Sequence, residues 1–216
     1  MKDVAAILLA AGQSRRMGAF KPLLPFGKQT VIESCINYLT AGGADSVVVV
    51  LGHRADDIRR KLGHLEISFA INPNPASEMT ASIAAGVRVL PESTRAILIA
   101  PVDYPAIPAT VVSLLIAEWS NGFRLVKPTT AGHGGHPVLI DATLRDELLD
   151  LDPTIGLKGL FDRYQTEVKR VEVTSPFIAR DIDTWDDYHT LYSEIFGKAA
   201  PDPDKEPSNE NTEGLI

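Results

Sequence analysis

Ten residues near the start of the chain, Gly12-Gln13-Ser14-Arg15-Arg16-Met17-Gly18-Ala19-Phe20-Lys21, combine two glycines, a serine and three cations. Glycine lets backbone N–H groups come close to an anion. Arginine grips phosphate oxygens with a forked pair of donors, and lysine adds a compact charge. The chemistry such a loop suits is the holding of a polyphosphate. Neither of the two common phosphate loops is present. Gly18 is followed by Ala19-Phe20-Lys21 instead of the Lys-Ser/Thr of a Walker A loop, and Gln13-Ser14 interrupts a dinucleotide fingerprint. A basic surface turn is the plainer alternative.

Carboxylates offer a partner chemistry. Asp103 lies in Pro101-Val102-Asp103-Tyr104-Pro105, directly after an apolar run, and Asp181 and Asp183 flank Ile182 ahead of Thr184. Carboxylate oxygens are hard ligands suited to Mg²⁺, which takes one or two protein carboxylates together with substrate phosphates. Residues two apart on an extended segment face the same side, so Asp181 and Asp183 project together. The plainer readings are that Asp103 caps the structure after it, and that Asp183 or Thr184 caps a last helix.

These groups need a frame that brings them together. Residues 4–10 are apolar without alternation, the pattern of a strand buried on both faces. Residues 46–51 and 96–100 repeat it, and 67–71 form a shorter strand that ends in Asn72-Pro73-Asn74-Pro75. Between them fall helices: one capped by Thr30 with Glu33 in a capping box and running to about Ala41, then 55–62, 80–90 and 108–120. Strand-helix alternation predicts an α/β fold, a single Rossmann-like doubly wound domain with a mostly parallel sheet and helices on both faces. Ligands in such sheets sit beyond the carboxyl ends of the strands, where the Gly12 to Lys21 loop, Asn72 and Asp103 all fall. The second half is less regular. Strands are expected over 123–127, 137–140 and 168–173, a flexible loop over 132–135, short helices over 142–149 and 156–164, and a closing helix over 184–196. Residues 1–196 read as one domain and 197–216 as a disordered acidic tail. Cys35 reads as core filler, and His53 as a surface-loop histidine.

The order Leu9-Ala10-Ala11-Gly12-x-Ser14-x-Arg16-Met17-Gly18-x-x-Lys21 resembles the signature of the MobA-like nucleotidyltransferases. It is most similar to the MocA-type branch, which makes the cytosine dinucleotide form of the molybdenum cofactor, and the resemblance spans about residues 4–195. It implies a nucleotide held by Leu9, Ala10, Ala11, Gly12, Ser14, Arg16, Gly18, Lys21, Asn72 and Ser82, with Lys21, Arg16 and Asp103 as catalytic residues. Arg15 falls on a variable position and takes a minor role. The resemblance further implies Mg²⁺, or Mn²⁺ in its place, on Asp103 and Asp183, with Asp181 as the substitute for Asp183. Gly135-His136-Pro137 matches the acceptor side, where a plain turn histidine is the competing account. Tyr104 stands where many members of the branch carry glutamine, and Glu78 where the family has glycine. Ala11 leans toward CTP, since Leu-Ala-Gly-Gly is typical of the guanosine-using branch.

The implied reaction is transfer of CMP from CTP to a phosphorylated acceptor, a molybdopterin-type pterin, with release of pyrophosphate. A recipient molybdoenzyme or its chaperone is the implied protein partner. A guanylyl- or sugar-phosphate nucleotidyltransferase is the alternative within enzymes, and a non-catalytic nucleotide-binding protein that delivers a cofactor is the alternative outside them. Composition agrees with a small-anion site. The net charge of −7 over 216 residues, without a basic run, argues against nucleic acid as a partner. A single cysteine fits a reducing compartment, and the first apolar run is too short to span a membrane, so a soluble cytoplasmic protein is expected.

Overall fold

A computed structural model describes residues 3–14, 16–74 and 78–201. In chain order its strands are β1 (Val4–Ala10), β2 (Pro25–Phe26), β3 (Gln29–Thr30), β4 (Ser46–Leu51), β5 (Ser68–Ile71), β6 (Ala96–Pro101), β7 (Leu125–Thr130), β8 (His133–Gly134), β9 (Val138–Asp141) and β10 (Val168–Glu172). Its α-helices are α1 (Val31–Ala41), α2 (Ala55–Leu62), α3 (Met79–Val89), α4 (Ala109–Ser120), α5 (Arg145–Leu149), α6 (Leu157–Arg163) and α7 (Trp185–Phe196). The main sheet runs β10-β7-β9-β6-β1-β4-β5, with β8 paired to β7. β5, β4, β1 and β6 are mutually parallel, β7 and β10 are parallel to each other, and β9 lies antiparallel between β6 and β7. This is the expected mostly parallel α/β sheet.

Strand β1 is buried along its whole length, because both faces of the sheet are covered. Val4, Ala6, Leu8 and Ala10 join one core with α1, α2 and α4, while Ala5, Ile7 and Leu9 join the other with α3, α5 and α6. Successive side chains of a strand point to opposite faces, so an unbroken apolar run feeds both. Chain order leaves β1 toward β4 and β5 on one side and returns to β6 on the other. The gap beyond the carboxyl ends of β1 and β6 is therefore the crossover point at which such sheets bind ligands. A third apolar cluster joins Met17 of the loop, Leu24 and Phe26 to Ile182 and to Tyr188, Leu191 and Tyr192 of α7. It ties the glycine-rich loop to the closing helix.

The expected elements stand within a few residues of their sequence bounds, and the differences have local causes. The loop expected at 132–135 is a tight hairpin. Ala131 and Gly132 both take positive φ, 48° and 81°, and let Thr130 pair with His133. Glu172 holds this turn, accepting from the Thr129 hydroxyl at 2.6 Å and from Ala131 N at 3.0 Å. The helix expected over 142–149 is broken. Asp141 caps a 3-10 turn over Ala142–Leu144 by accepting from Thr143 N, and only Arg145–Leu149 is α-helical. The strand expected at 123–127 lies two residues later, as β7. Thr30 caps α1 in a capping box with Glu33 as expected, and Thr184 caps α7 with Asp187. Of the expected tail, Gly197 to Pro201 are described, and Ala200 packs against the third cluster. Arg15, Pro75 and residues 202–216 lie outside the described residues.

Candidate active site

The loop after β1 folds back on itself through Ser14. The Ser14 carbonyl accepts from Gly18 N at 3.2 Å, and its hydroxyl from Lys21 N at 3.3 Å. Ser14 has φ of 50° and Gly18 of 70°, a left-handed backbone that glycine adopts without the crowding a side chain brings. The start of the loop is fixed from outside by the turn after β4. His53 N donates to the Ala11 carbonyl, and a Cβ on Gly52 would lie 2.8 Å from that same oxygen. At the far end Phe20 packs edge-on to His53 and under the Arg54 guanidinium. His53 is exposed, as expected of a surface-loop histidine.

A cavity of about 270 Å³ opens between the carboxyl ends of β1 and β6. Leu9, Ala11, Gly12, Ser14, Lys21, Ser82 and Asp103 line it, all of them residues singled out by sequence. A Cβ on Gly12 would meet nothing within 4 Å, so the missing side chain leaves its backbone open to whatever enters. Pro22, Met79, Pro101 and Val102 complete the lining and were not expected there, since an apolar wall carries no sequence signal apart from the core. Ala10 is wholly buried in the core with α1, because alternation along β1 turns it away from the cavity. Gly18 lies beyond the lining, at the closure of the loop. Asn72 is buried beside the cavity rather than on its wall. Its side-chain NH₂ donates to Ser82 Oγ at 2.9 Å and its Oδ1 accepts from Asn74 N, so it positions Ser82. Glu78, at the N-cap of α3, is exposed and outside the lining, beside Met79, which is part of it.

The carboxylates come together as the alternation predicts. Ile182 is fully buried, and its N donates to the Asp103 carbonyl at 3.0 Å, which sets the Asp181–Asp183 segment against the loop after β6. One ligand atom each of Asp103, Asp181 and Asp183 lie within 4.8 Å of one another. The site thus brings in Asp181 beside Asp183, where sequence had chosen between them. The capping account of Asp183 does not hold, since Thr184 supplies the cap and Asp187 its partner. Asp183 instead faces the loop: Lys21 Nζ donates to it at 2.5 Å, and Arg16 Nη1 pairs with its other oxygen. Lys21 is only 7% exposed, a burial that a lysine takes on when it is paired.

The electrostatics of Asp103 and Asp183 differ. The Lys21 hydrogen bond holds Asp183 below the usual carboxylate range. Burial pushes Asp103 up to about 6, with Asp181 and Asp183 adding to the rise and Lys21 opposing it. Asp103 Oδ1 is buried without a hydrogen-bond partner among the described residues. An orphaned carboxylate oxygen costs stability unless something binds it. Three carboxylates whose oxygens converge beside the glycine-rich, cationic loop have the hard donor chemistry that suits a divalent cation of the Mg²⁺ or Mn²⁺ class.

Gly135-His136-Pro137 reaches this region through Tyr104. The His136 and Tyr104 rings lie 4.9 Å apart, tilted by 55°. His136 N donates to the Ile178 carbonyl at 2.8 Å, and a Cβ on Gly135 would come within 2.3 Å of the same oxygen, so only glycine permits that approach. Burial lowers the His136 pKa to about 4, which keeps the imidazole neutral at pH 7. Burial also raises the Tyr104 phenol, and the three aspartates raise it further. Tyr104 thus lies within the field of the carboxylates, His136 is tied to it by ring contact, and both stand outside the cavity lining.

Known proteins carry the same domain. Residues 6–168 match the MobA-like NTP transferase domain. The nicotine blue oxidoreductase of Paenarthrobacter nicotinovorans is 26% identical over 196 residues, covering 87% of this chain and 96% of that protein. The molybdenum cofactor cytidylyltransferase of Escherichia coli (strain K12) is 25% identical over 202 residues, covering 90% and 100%. Two crystal structures of Rv0371c from Mycobacterium tuberculosis H37Rv, one a manganese complex, share the fold with TM-scores of 0.79 and 0.76. Their identities are 24% and 22%, and each comparison covers 88% of this chain and 98% of that one. No described helix is long and apolar enough to cross a membrane. With its fold, its loop and a match that spans three quarters of its length, this chain belongs to the MobA-like NTP transferase family.

Proposed function

We propose that this member of the family is a cation-dependent cytidylyltransferase that transfers CMP from CTP to a phosphorylated pterin-type acceptor, the molybdenum cofactor or molybdopterin, and releases pyrophosphate. The observation that carries the proposal is the convergence of Lys21 with Asp103, Asp181 and Asp183 beside the cavity between β1 and β6, which Lys21, Asp103 and Gly12 line. Similarity to the E. coli cytidylyltransferase supports the choice of reaction, and Ala11 the choice of base.

In the proposed step an oxygen of the acceptor phosphate bonds to the α-phosphorus as the bond to the bridging oxygen breaks, and the electron pair leaves with pyrophosphate. Such a transfer needs positioning and charge neutralisation rather than a covalent nucleophile. The backbone from Gly12 to Gly18, with Arg16, holds the β- and γ-phosphates. Lys21, already desolvated, turns from Asp183 to stabilise charge building on the α-phosphate. Asp103 and Asp183, with Asp181 beside them, hold the cation, Mg²⁺ or Mn²⁺, which when bound neutralises phosphate oxygens. Asn72 orients Ser82 on the nucleoside wall. Neutral His136 and Tyr104 position the acceptor and take no proton from it. A recipient molybdoenzyme or its chaperone then collects the product.

The test is pyrophosphate release in the presence of Mg²⁺, a molybdopterin-type acceptor and CTP, GTP or ATP separately, with Asp103→Ala alongside. Release with CTP alone, lost in the variant, is the expected result. A preference for GTP would overturn the base assignment, and CTP binding without pyrophosphate would favour cofactor delivery. Similarity to the nicotine blue oxidoreductase raises a redox reading as well, which predicts a change in substrate oxidation state and no pyrophosphate at all.

A further inference from the structure

The turn that follows β4 touches the phosphate loop near both of its ends. At the start of the loop, the Ala11 carbonyl accepts from His53 N at 3.5 Å. Near its end stands Phe20, partly buried against the core shared by α1, α2 and α4. The Phe20 ring meets the His53 ring edge-on, with centroids 6.0 Å apart. The Arg54 guanidinium carbon lies 4.7 Å from the Phe20 centroid. Arg54 is anchored in turn: its Nε donates to Asp57 Oδ2 at 2.5 Å, and Asp57 also pairs with Arg60.

What Phe20 fixes is Lys21. Phe20 is the N-cap of a 3-10 turn over Lys21–Leu23, and its carbonyl accepts from Leu23 N at 3.1 Å. The Lys21 backbone therefore leaves Phe20 in a set direction, and its side chain runs inward to Asp183. A lysine charge rides on a flexible four-carbon stem, so its reach depends on where the backbone is held.

Arg54 itself sits in the left-handed region, with φ of 53° and ψ of 37°. Glycine and asparagine take that conformation more easily than arginine does, and either would serve a bare turn better. Nor does the Arg54 side chain fill a core, being 47% exposed. What it adds is a cation on the face of Phe20, where the ring quadrupole attracts it.

We infer that Arg54 is a positioning residue for the nucleotide site: its guanidinium, held by Asp57, clamps Phe20 and so sets the point from which Lys21 reaches a bound phosphate. The inference rests on the proposed reading of Lys21 as a phosphate ligand. Without the clamp Lys21 is misplaced, and losing one hydrogen bond to a charged group weakens binding by about tenfold or more.

The test is calorimetric binding of CTP in the presence of Mn²⁺ to the full chain, with thermal unfolding of each protein without ligand. The proteins are wild type, Arg54→Asn, Arg54→Lys, Phe20→Leu, the double variant Arg54→Asn with Phe20→Leu, and Lys21→Met. The inference predicts that Arg54→Asn binds CTP about tenfold more weakly while unfolding at the wild-type temperature or above it. Arg54→Lys, which keeps a cation over the ring, should bind more tightly than Arg54→Asn. Because Arg54 acts through Phe20, the double variant should bind no more weakly than the weaker single one. Wild-type affinity in Arg54→Asn beside weakened binding in Lys21→Met would overturn the role of Arg54 and leave the phosphate reading standing. Additive losses in the double variant, equal affinity of Arg54→Lys and Arg54→Asn, or weaker binding that tracks a lower unfolding temperature of Arg54→Asn would overturn it likewise. Unchanged binding in Lys21→Met, or a wild type that binds no CTP, would overturn the reading of the site and the inference with it.

Discussion

Replacing Asp103 by asparagine should make the metal-free protein more stable while removing its chemistry. The carboxyl is largely buried, and its pKa stands at about 6 against an ordinary 3.8. That gap, at 1.36 kcal/mol per pH unit, means that ionised Asp103 costs the fold about 3 kcal/mol at pH 8. Because the folded pKa is raised for an acid, the cost is fully present above pH 6 and disappears as pH falls through the folded value toward the unfolded one. Asparagine fills the same space and does not titrate, so the pH-dependent part of the stability difference isolates the charge. Its gain at pH 8 is reduced by the smaller cost of burying a neutral amide, but the change between pH 8 and pH 4 should still be about 2.4 kcal/mol. Urea unfolding in EDTA at pH 8, 5 and 4 measures it. Added Mg²⁺ or Mn²⁺ should then raise the stability of wild type at pH 8 and leave the variant unchanged, as a ligand specific to the folded state does. A stability difference that does not vary with pH, or one that grows as pH falls, would refute the argument that this site stores the cost of an unpaired buried carboxylate.

Three further outcomes follow from the same geometry. Lys21→Met should lower kcat/KM for nucleotidyl transfer by about 10²–10³-fold, the usual loss when one charge-stabilising donor is removed, and steady-state kinetics will show whether kcat carries it. Gly52→Ala sets a methyl 2.8 Å from the Ala11 carbonyl and must displace the start of the phosphate loop, so CTP affinity measured by calorimetry should fall while the chain stays folded. His136 is buried and neutral with a pKa of about 4 against 6.5, so the unfolded chain binds its proton first as pH drops from 6.5 to 4, and stability falls in that window by up to about 1.4 kcal/mol per pH unit. Asp103 offsets this slope below pH 6, and Asp103→Asn should expose it; the double variant with His136→Gln should flatten it again in the same urea series.

Much of this arrangement was legible in the sequence because it rests on local chemistry. Glycines and cations packed between Gly12 and Lys21 suit an anion, and the alternation around Ile182 does put Asp181 and Asp183 on one side once Ile182 is buried. Uninterrupted apolar runs at β1, β4 and β6 mark strands covered on both faces, and so the α/β sheet. What sequence left unread depends on partners far along the chain. Asn72 was assigned to the nucleotide, yet its amide turns inward to Ser82, ten residues on. Ala10 shares its motif with Ala11 but faces the opposite core. The sharing of Asp183 among Lys21, Arg16 and the other aspartates follows from a backbone bond between Ile182 and Asp103, a contact no local pattern announces.

The central claim is that the cavity between β1 and β6 holds a nucleoside triphosphate and a divalent cation together. A crystal structure of the chain grown with CTP and Mn²⁺, read through the anomalous scattering of manganese, tests it most directly. The account predicts a manganese peak among Asp103, Asp181 and Asp183, the triphosphate along the Gly12–Gly18 backbone, and Lys21 moved from Asp183 to phosphate. Triphosphate bound in a different groove, or manganese absent from the three aspartates with nucleotide in place, would contradict it.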